Sequence, residues 1–233
     1  MNIEVETQFG FVAILDVLGA RGYNVDHAKE FILNRDAMLD KLKEKPILDA
    51  IDESLPMPYI ATFGDTVIFT WNVGQDRVMK TLPSVASWLS ALLNLGIANK
   101  MLLRGALSVG EFISRESTVL GPAVSDAASW YEEADWVGVV LTTKCKLSLI
   151  SLLENAKHNQ RLKKIDFNKW FVEYDVLCHS GKKRMWVVSW PYNAWAVSDD
   201  EMTAIEMLSV ALSDFSIPKG TEMKYENTLQ FFR

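Results

Sequence analysis

ATFGDTVIFTW, residues 61–71, sets a Gly64-Asp65 pair between two apolar runs. Such a pair is a hairpin signal, because both residues tolerate the positive φ that tight turns demand. Ile60, Val67 and Phe69 supply the flanking strands. The same pair admits a second reading, in which the turn exists to hold the Asp65 carboxylate over a metal ion. What surrounds the hairpin bears on which reading applies.

Upstream, FGFVAILDV (9–17) is a continuous apolar run, the pattern of a strand buried on both faces. A helix is expected over HAKEFILNRDAMLDKLKEK (27–45), where Phe31, Leu39 and Leu42 recur among charges until Pro46 ends it. Downstream, a second helix spans DRVMKTLPSVASWLSALLNLGIANK (76–100), with Pro83 a candidate kink. LLRGALSVGEF (102–112) then reads as a strand alternating small and apolar residues. The order β-α-β-β-α-β is that of an α+β, ferredoxin-like core. It predicts that the first strand and the hairpin lie side by side at the sheet's centre, so that Asp16 approaches Asp65.

The second half predicts a helix from GPAVSDAASWYEEA (121–134), a strand at GVVLTT (138–143) and a helix at KCKLSLISLLENAK (144–157). Two aromatic-rich strands follow, WFVEYDVLC (170–178) and KKRMWVVSW (182–190), with GKK (181–183) as the hairpin tip. A last helix, DEMTAIEMLSVALSDF (200–215), precedes a tail, KYENTLQFFR (224–233). No linker composition divides the 233 residues, so residues 1–233 are expected to form one domain.

Composition excludes several functions. A net charge of −6 argues against a broad surface for nucleic acid or anionic membrane. Cys145 and Cys178 fit no metal-ligand spacing or disulfide framework, as reduced cytosolic thiols would not. His27, His158 and His179 are scattered, and no Ser-His or Cys-His pair suggests a protein nucleophile. The N-terminus lacks a signal-peptide pattern and no uninterrupted apolar run approaches a membrane span, so a cytoplasmic location is expected.

Asp16, at the end of a buried strand, is costly to bury unpaired; it caps a helix, pairs with a cation or binds metal. If it meets Asp65, their repulsion supplies a reason for a divalent cation between them. The amides that follow, including those of Leu18 and Gly19, would be placed to grip phosphate at a helix N-terminus.

Four stretches together, FVAILDVLGA (11–20), FGDTVIF (63–69), LLRGALSVGEF (102–112) and GPAVSDAASWYEEA (121–134), resemble the motifs of class III nucleotidyl cyclases in their proper order. The resemblance implies a class III catalytic fold, a nucleoside triphosphate substrate and two divalent ions, Mg²⁺ or Mn²⁺, held by Asp16, Asp65 and the carbonyl of Val17. It implies attack of the ribose 3′-hydroxyl on the α-phosphorus with loss of pyrophosphate, catalysed by positioning and charge stabilisation. It also implies a homodimer, with Asp16 and Asp65 from one chain and the 121–131 helix from the other at each active site; Trp130 and Tyr131 are candidates for that interface.

The departures from the pattern are informative. The family's two purine-reading positions align with Ala61 and Thr118, and neither purine pair is present. Its ribose-orienting Asn and transition-state Arg align with Ser125 and Ser129. Arg104, Lys182 and Lys183 are the candidate replacement cations. Tyr59, RGALSVGE (104–111), GPA (121–123) and the KYENT tail are most similar to the pyrimidine cyclases of bacterial Pycsar anti-phage systems. That likeness implies conversion of UTP or CTP to cyclic UMP or cyclic CMP, which activates a separate effector, with Tyr59 contacting the pyrimidine. A purine cyclase with unconventional base contacts and a catalytically silent nucleotide-binding module are the alternatives.

Overall fold

The computed structural model describes residues 6–18, 24–43, 55–156, 169–191, 206, 208–210, 212–213 and 221–232. Gly19, and most of the helix expected at 200–215, lie outside them. The chain opens with β1 (Gln8–Val17), α1 (Val25–Lys41), β2 (Tyr59–Phe63), β3 (Thr66–Asn72), α2 (Val78–Ala98) and β4 (Leu103–Arg115), the βαββαβ order of an α+β fold. There follow β5 (Thr118–Leu120), α3 (Pro122–Ala128), β6 (Gly138–Leu141), α4 (Thr143–Ala156), β7 (Phe171–Cys178), β8 (Gly181–Val188) and α5 (Glu222–Phe232). One sheet runs β2-β3-β1-β4-β6-β8-β7, with β5 paired to β4. Its first four strands stand in the spatial order of a ferredoxin-like core. β3 and β1 are adjacent as expected, while the outer hairpin strand, β2, forms the sheet's edge.

β1 is apolar from Phe9 to Leu15 because both faces are covered. Phe11, Ala13, Leu15 and Val17 join the large core beneath α1 and α2. Val12 and Ile14 point the other way, against Phe112 and against Ala123 and Ala127 of α3. Side chains alternate along a strand, so Asp16 follows Val12 and Ile14 to the α3 face. On β4, Arg104 and Ala106 share that face, while Leu103, Leu107 and Val109 enter the large core. Side-chain parity therefore sends Asp16 and Arg104 to the same side of the sheet.

The two strands approach closely because β4 is built from small residues. A Cβ on Gly105 would stand 2.3 Å from the carbonyl oxygen of Ile14 and 2.7 Å from the Cγ of Leu15. The antiparallel register opposes Leu15 to Gly105 and Asp16 to Arg104. On its other edge β1 pairs with β3 as far as Leu15 opposite Val67, which brings the end of β1 beside the β2–β3 turn.

α1 is capped by Asn24, whose side chain accepts from the N–H groups of Asp26 and His27. α2 runs through Pro83 and buries most of its length, including Trp88, which meets Phe69 and Trp71 edge-on at 4.5 and 5.2 Å. By length and composition α2 passes for a membrane span, yet 67% of that stretch is buried inside the protein, as a core helix is.

Three expectations need correction. The 121–134 helix stops at Ala128, where Ser129 is its C-cap, and the chain continues in turns to the β6 strand. The last hairpin turns at His179-Ser180, because Gly181, at φ 101°, already pairs with Cys178; Lys182 and Lys183 lie in β8. The expected tail is helix α5, docked by the buried Thr228 and Phe232.

Candidate functional site

The β2–β3 turn needs only two residues, Gly64 and Asp65, between the paired Phe63 and Thr66. Gly64 takes φ 60°, as suits the first central position of a tight hairpin turn. Asp65 is not among the described residues with positive φ, so the turn uses its glycine for geometry and leaves its aspartate as a side chain at the tip.

That tip and the end of β1 open into a cleft of about 540 Å³, whose lining includes Asp16, Asp65, Arg104, Glu132, His179 and Lys224. Val17 and Leu18 also line it. Asp16 is 7% exposed and Arg104 5%. The Arg104 guanidinium donates to Asp16 Oδ2 at 3.3 Å and to the carbonyl oxygens of Glu132 at 2.7 Å and Ala134 at 3.3 Å. Arg104 is thus tied to Asp16 and to the segment after α3. Its Nε is buried without a hydrogen-bond partner.

Even with that guanidinium beside it, the Asp16 carboxyl is pushed up to about 6. Burial is the main cause; the second is the Asp65 charge, aided by the hydrogen bond that a protonated Asp16 donates to Asp65, and Arg104 opposes both. The buried Asp16 and the half-buried Asp65, only partly compensated by Arg104, hold a surplus of negative charge. Such a donor set suits a hard divalent cation. Among the described residues no group of three or more His, Cys, Asp or Glu side chains could form an all-protein cage. The two carboxylates with a backbone carbonyl fit instead the manner of Mg²⁺ or Mn²⁺, which keep water and substrate oxygens as ligands.

The other expected positions are distributed as follows. The Leu18 N–H donates to the Leu102 carbonyl at 2.7 Å, so that amide extends the β1–β4 ladder and is not free for phosphate. Tyr59 and Ala61 lie on edge strand β2, and Thr118 is exposed on β5. Ser125 and Ser129 belong to α3, where the Ser129 hydroxyl donates to the Ser125 carbonyl at 2.8 Å. Lys183 pairs with Glu133 at 3.5 Å and covers the Trp130 ring at 4.9 Å, while Lys182 is exposed on β8. None of these seven side chains lines the cleft within one chain.

Behind the cleft's lining residues stands an aspartate that sequence reading passed over. Asp135 is approached through its Oδ1 by His179 Nε2 at 3.2 Å, Lys224 Nζ at 3.5 Å and Arg104 at 3.9 Å. Tyr131 lines the cleft from the end of α3, and burial pushes its hydroxyl above the ordinary range. No local motif marks Asp135, His179 or Lys224, since long-range pairing brings them together.

No protein-family model matches this sequence, and no curated protein is detectably similar to it. Three solved structures that resemble it are nucleotide cyclases. The chain is similar to the catalytic core of a rhodopsin-guanylyl cyclase with converted specificity in complex with ATPαS, at 14% identity and a TM-score of 0.45, over 80% of this chain and 98% of that one. It is similar also to an adenylate/guanylate cyclase/hydrolase from Silicibacter pomeroyi, at 12% identity and a TM-score of 0.42, over 79% and 98% of the two chains. A third is a bacterial light-regulated adenylyl cyclase, at 15% identity and a TM-score of 0.46, over all of this chain and 60% of that one. Likenesses of this size carry no chemistry, which rests on the cleft itself.

Proposed function

We propose that this chain is a nucleotide cyclase that converts a nucleoside triphosphate, UTP or CTP, to its 3′,5′-cyclic monophosphate and pyrophosphate. The observation that carries the reading is the convergence of Asp16 and Asp65 on one cleft with more negative charge than Arg104 neutralises. Asp16, Asp65 and the carbonyl of Val17 would hold the divalent ions. Bound there, such ions supply charge neutralisation of the triphosphate and acidification of the 3′-hydroxyl. Arg104 fixes Asp16 in place and screens it from beneath, so the carboxylate presents its remaining lone pairs in one direction. The buried floor under Asp16 keeps the local dielectric low, which strengthens every charge interaction with a phosphate chain.

The pyrimidine preference rests on the sequence: Ala61 and Thr118 offer none of the side chains that read a purine edge, and Tyr59 is the proposed pyrimidine contact. A purine substrate is equally compatible with the described cleft. Ser125, Ser129, Lys182 and Lys183 do not line the cleft of their own chain, so a role for them at substrate requires a second copy, as the proposed homodimer would supply. Phe63, 85% exposed at the cleft's rim, is an aromatic side chain that such a partner would cover. A cytoplasmic second-messenger role in anti-phage defence, through a separate effector, belongs to this reading and follows from the sequence resemblance.

A silent nucleotide-binding module is favoured by one observation: Arg104, buried at the base of the cleft, is already engaged by Asp16 and two carbonyls. One experiment separates the readings. Incubating the protein with each of the four nucleoside triphosphates and Mn²⁺ or Mg²⁺, and identifying products by mass, should give one cyclic pyrimidine monophosphate, abolished by Asp65→Asn. Purine product alone overturns the base assignment, and nucleotide binding without pyrophosphate release overturns the enzyme.

A further inference from the structure

The negative side of the cleft comes from β1 and the β2–β3 turn, but a triphosphate also needs cations at its far end. A chain of alternating charge supplies them. It runs from Asp16 to Arg104 at 3.3 Å, from Arg104 to Asp135 at 3.9 Å, and from Asp135 to His179 at 3.2 Å and Lys224 at 3.5 Å. Arg104 is consumed within that chain. His179 and Lys224 are its outer members, and both line the cleft.

Their placement is built in. The Asp135 N–H donates to the Leu177 carbonyl at 2.8 Å and the His179 N–H to the Glu133 carbonyl at 3.1 Å, so the segment 133–135 is laced to the end of β7. This fixes His179 beside Asp135. Lys224 stands one helical turn before Asn227 and Thr228 on the same face of α5, and Phe231 continues that face one turn further. Asn227 donates to the Asp135 carbonyl at 3.1 Å, and Thr228 accepts from the Val137 N–H at 3.0 Å. Phe231 packs edge-on against Trp136 at 4.2 Å and Tyr174 at 4.8 Å. The helix is therefore docked along the side from which Lys224 projects.

The cations are oriented without being saturated. Asp135 Oδ1 is buried and makes no aligned hydrogen bond, although Arg104, Lys224 and the His179 imidazole stand within 4 Å of it. A phosphate oxygen offering good geometry can recruit Lys224 and His179 without breaking an aligned hydrogen bond to that oxygen.

We infer that Lys224, with His179, binds the terminal phosphates of the substrate, that Asp135 is the positioning residue for both, and that the C-terminal helix α5 is thereby part of the site. The inference rests on reading the cleft as a nucleoside triphosphate site. It adds α5 to a site for which the sequence offered Arg104, Lys182 and Lys183 as candidate replacements for the transition-state Arg.

Calorimetric titration of the full chain with inorganic tripolyphosphate in the presence of Mn²⁺ tests it without requiring turnover. Lys224→Met should weaken binding about 10- to 100-fold, as expected for loss of a charge-assisted contact, and Lys224→Arg should recover most of it. Lys29→Met, on the exposed face of α1, is the charge control and should bind as wild type. Asp135→Asn should weaken binding while leaving the Lys224→Met effect smaller than in wild type, because the two residues act together. In turnover, Lys224→Met should raise KM by more than it lowers kcat. Equal affinities for Lys224→Met and Lys29→Met, or no tripolyphosphate binding by wild type, overturn the inference. Cyclic product formed at wild-type KM by Lys224→Met sinks the inference and leaves the cyclase reading intact. Lys224-dependent binding with no cyclic product from any nucleotide does the reverse.

Discussion

Replacing Asp65 with Asn should make the metal-free protein more stable and at the same time remove its response to divalent ions. The Asp16 carboxyl sits at about 6 against a reference of 3.8, and each pH unit corresponds to ~1.4 kcal/mol, so the folded state carries a penalty of about 3 kcal/mol when Asp16 is ionised. The sign follows from proton uptake. Between 3.8 and about 6 the folded chain binds more protons than the unfolded chain, so this group's contribution is fully present below 3.8 and is lost as pH rises through about 6. Burial is the first cause of the shift and the Asp65 charge the second, so removing that charge relieves part of the penalty and leaves the larger, desolvation part in place. Urea denaturation in EDTA from pH 4 to 8 should therefore show Asp65→Asn more stable than wild type at pH 7, by less than the full Asp16 penalty, with the gap closing towards pH 4. Adding Mn²⁺ at a hundred times its dissociation constant should stabilise wild type by about 2.7 kcal/mol and the variant by far less. Parallel pH profiles in EDTA, or equal stabilisation of both proteins by Mn²⁺, would refute the shared-charge account of this cleft.

Gly105→Ala should cost about 1–3 kcal/mol in thermal or urea unfolding and lower activity with it, because its Cβ meets the Ile14 carbonyl at 2.3 Å and forces β4 away from the strand that carries Asp16. Asp126→Ala should cost about 2–4 kcal/mol by the same measurement, since Asp126 Oδ2 accepts from the buried hydroxyls of Ser108 at 2.6 Å and Thr142 at 2.5 Å and both hydroxyl protons would lose their acceptor. Burial raises the thiol pKa of both Cys145 and Cys178, which are 0% and 4% exposed; a chromogenic disulfide should therefore label them more than about a thousandfold slower in the native protein than in denaturant. Prompt labelling of the native chain would contradict the packing around α4 and β7.

The parts of the fold legible in the sequence are those whose signals are local. β1 announces itself because both of its faces are buried, and the β2–β3 turn because Gly64 must take a positive φ. α1 and α2 follow from apolar periodicity and long runs without β-type alternation. What was missed is either too short for periodicity or set by distant partners. β5 has three residues, two of them exposed, and exists only because it folds back on β4. The 121–134 stretch keeps helical composition past Ala128, but Glu132, Glu133, Ala134 and Asp135 are recruited by Arg104 and the end of β7, and tertiary bonds override propensity. The role expected for Arg104 shifts for a related reason. The register that opposes Gly10 to Gly110 also opposes Asp16 to Arg104, so the cation nearest the carboxylates is their cross-strand neighbour. That pairing was available from the small-residue pattern of the two strands once their antiparallel adjacency was accepted. Lys224 and His179 were not, because nothing near them in sequence distinguishes them from surface residues.

The placement of Asp16 explains how a fold can hold an unfavourable carboxylate without distorting around it. β1 is paired on both edges, by β3 over six residues and by β4 over ten, and is covered on both faces. A charge at the end of such a strand cannot relieve its desolvation by moving the backbone. Relief has to come as a proton, which neutralises Asp16, or as positive charge beside it, which keeps it ionised; Arg104 supplies the second only in part, because burial and Asp65 still hold the carboxyl up at about 6. Arg104 in turn is held by carbonyls beyond α3, and Asp135 there anchors the last helix through Lys224 and Asn227. Neutralising Asp16 therefore perturbs the same charge chain that docks α5. The carboxylate end of the cleft and Lys224 are thus joined by one continuous chain of ion pairs through Arg104 and Asp135.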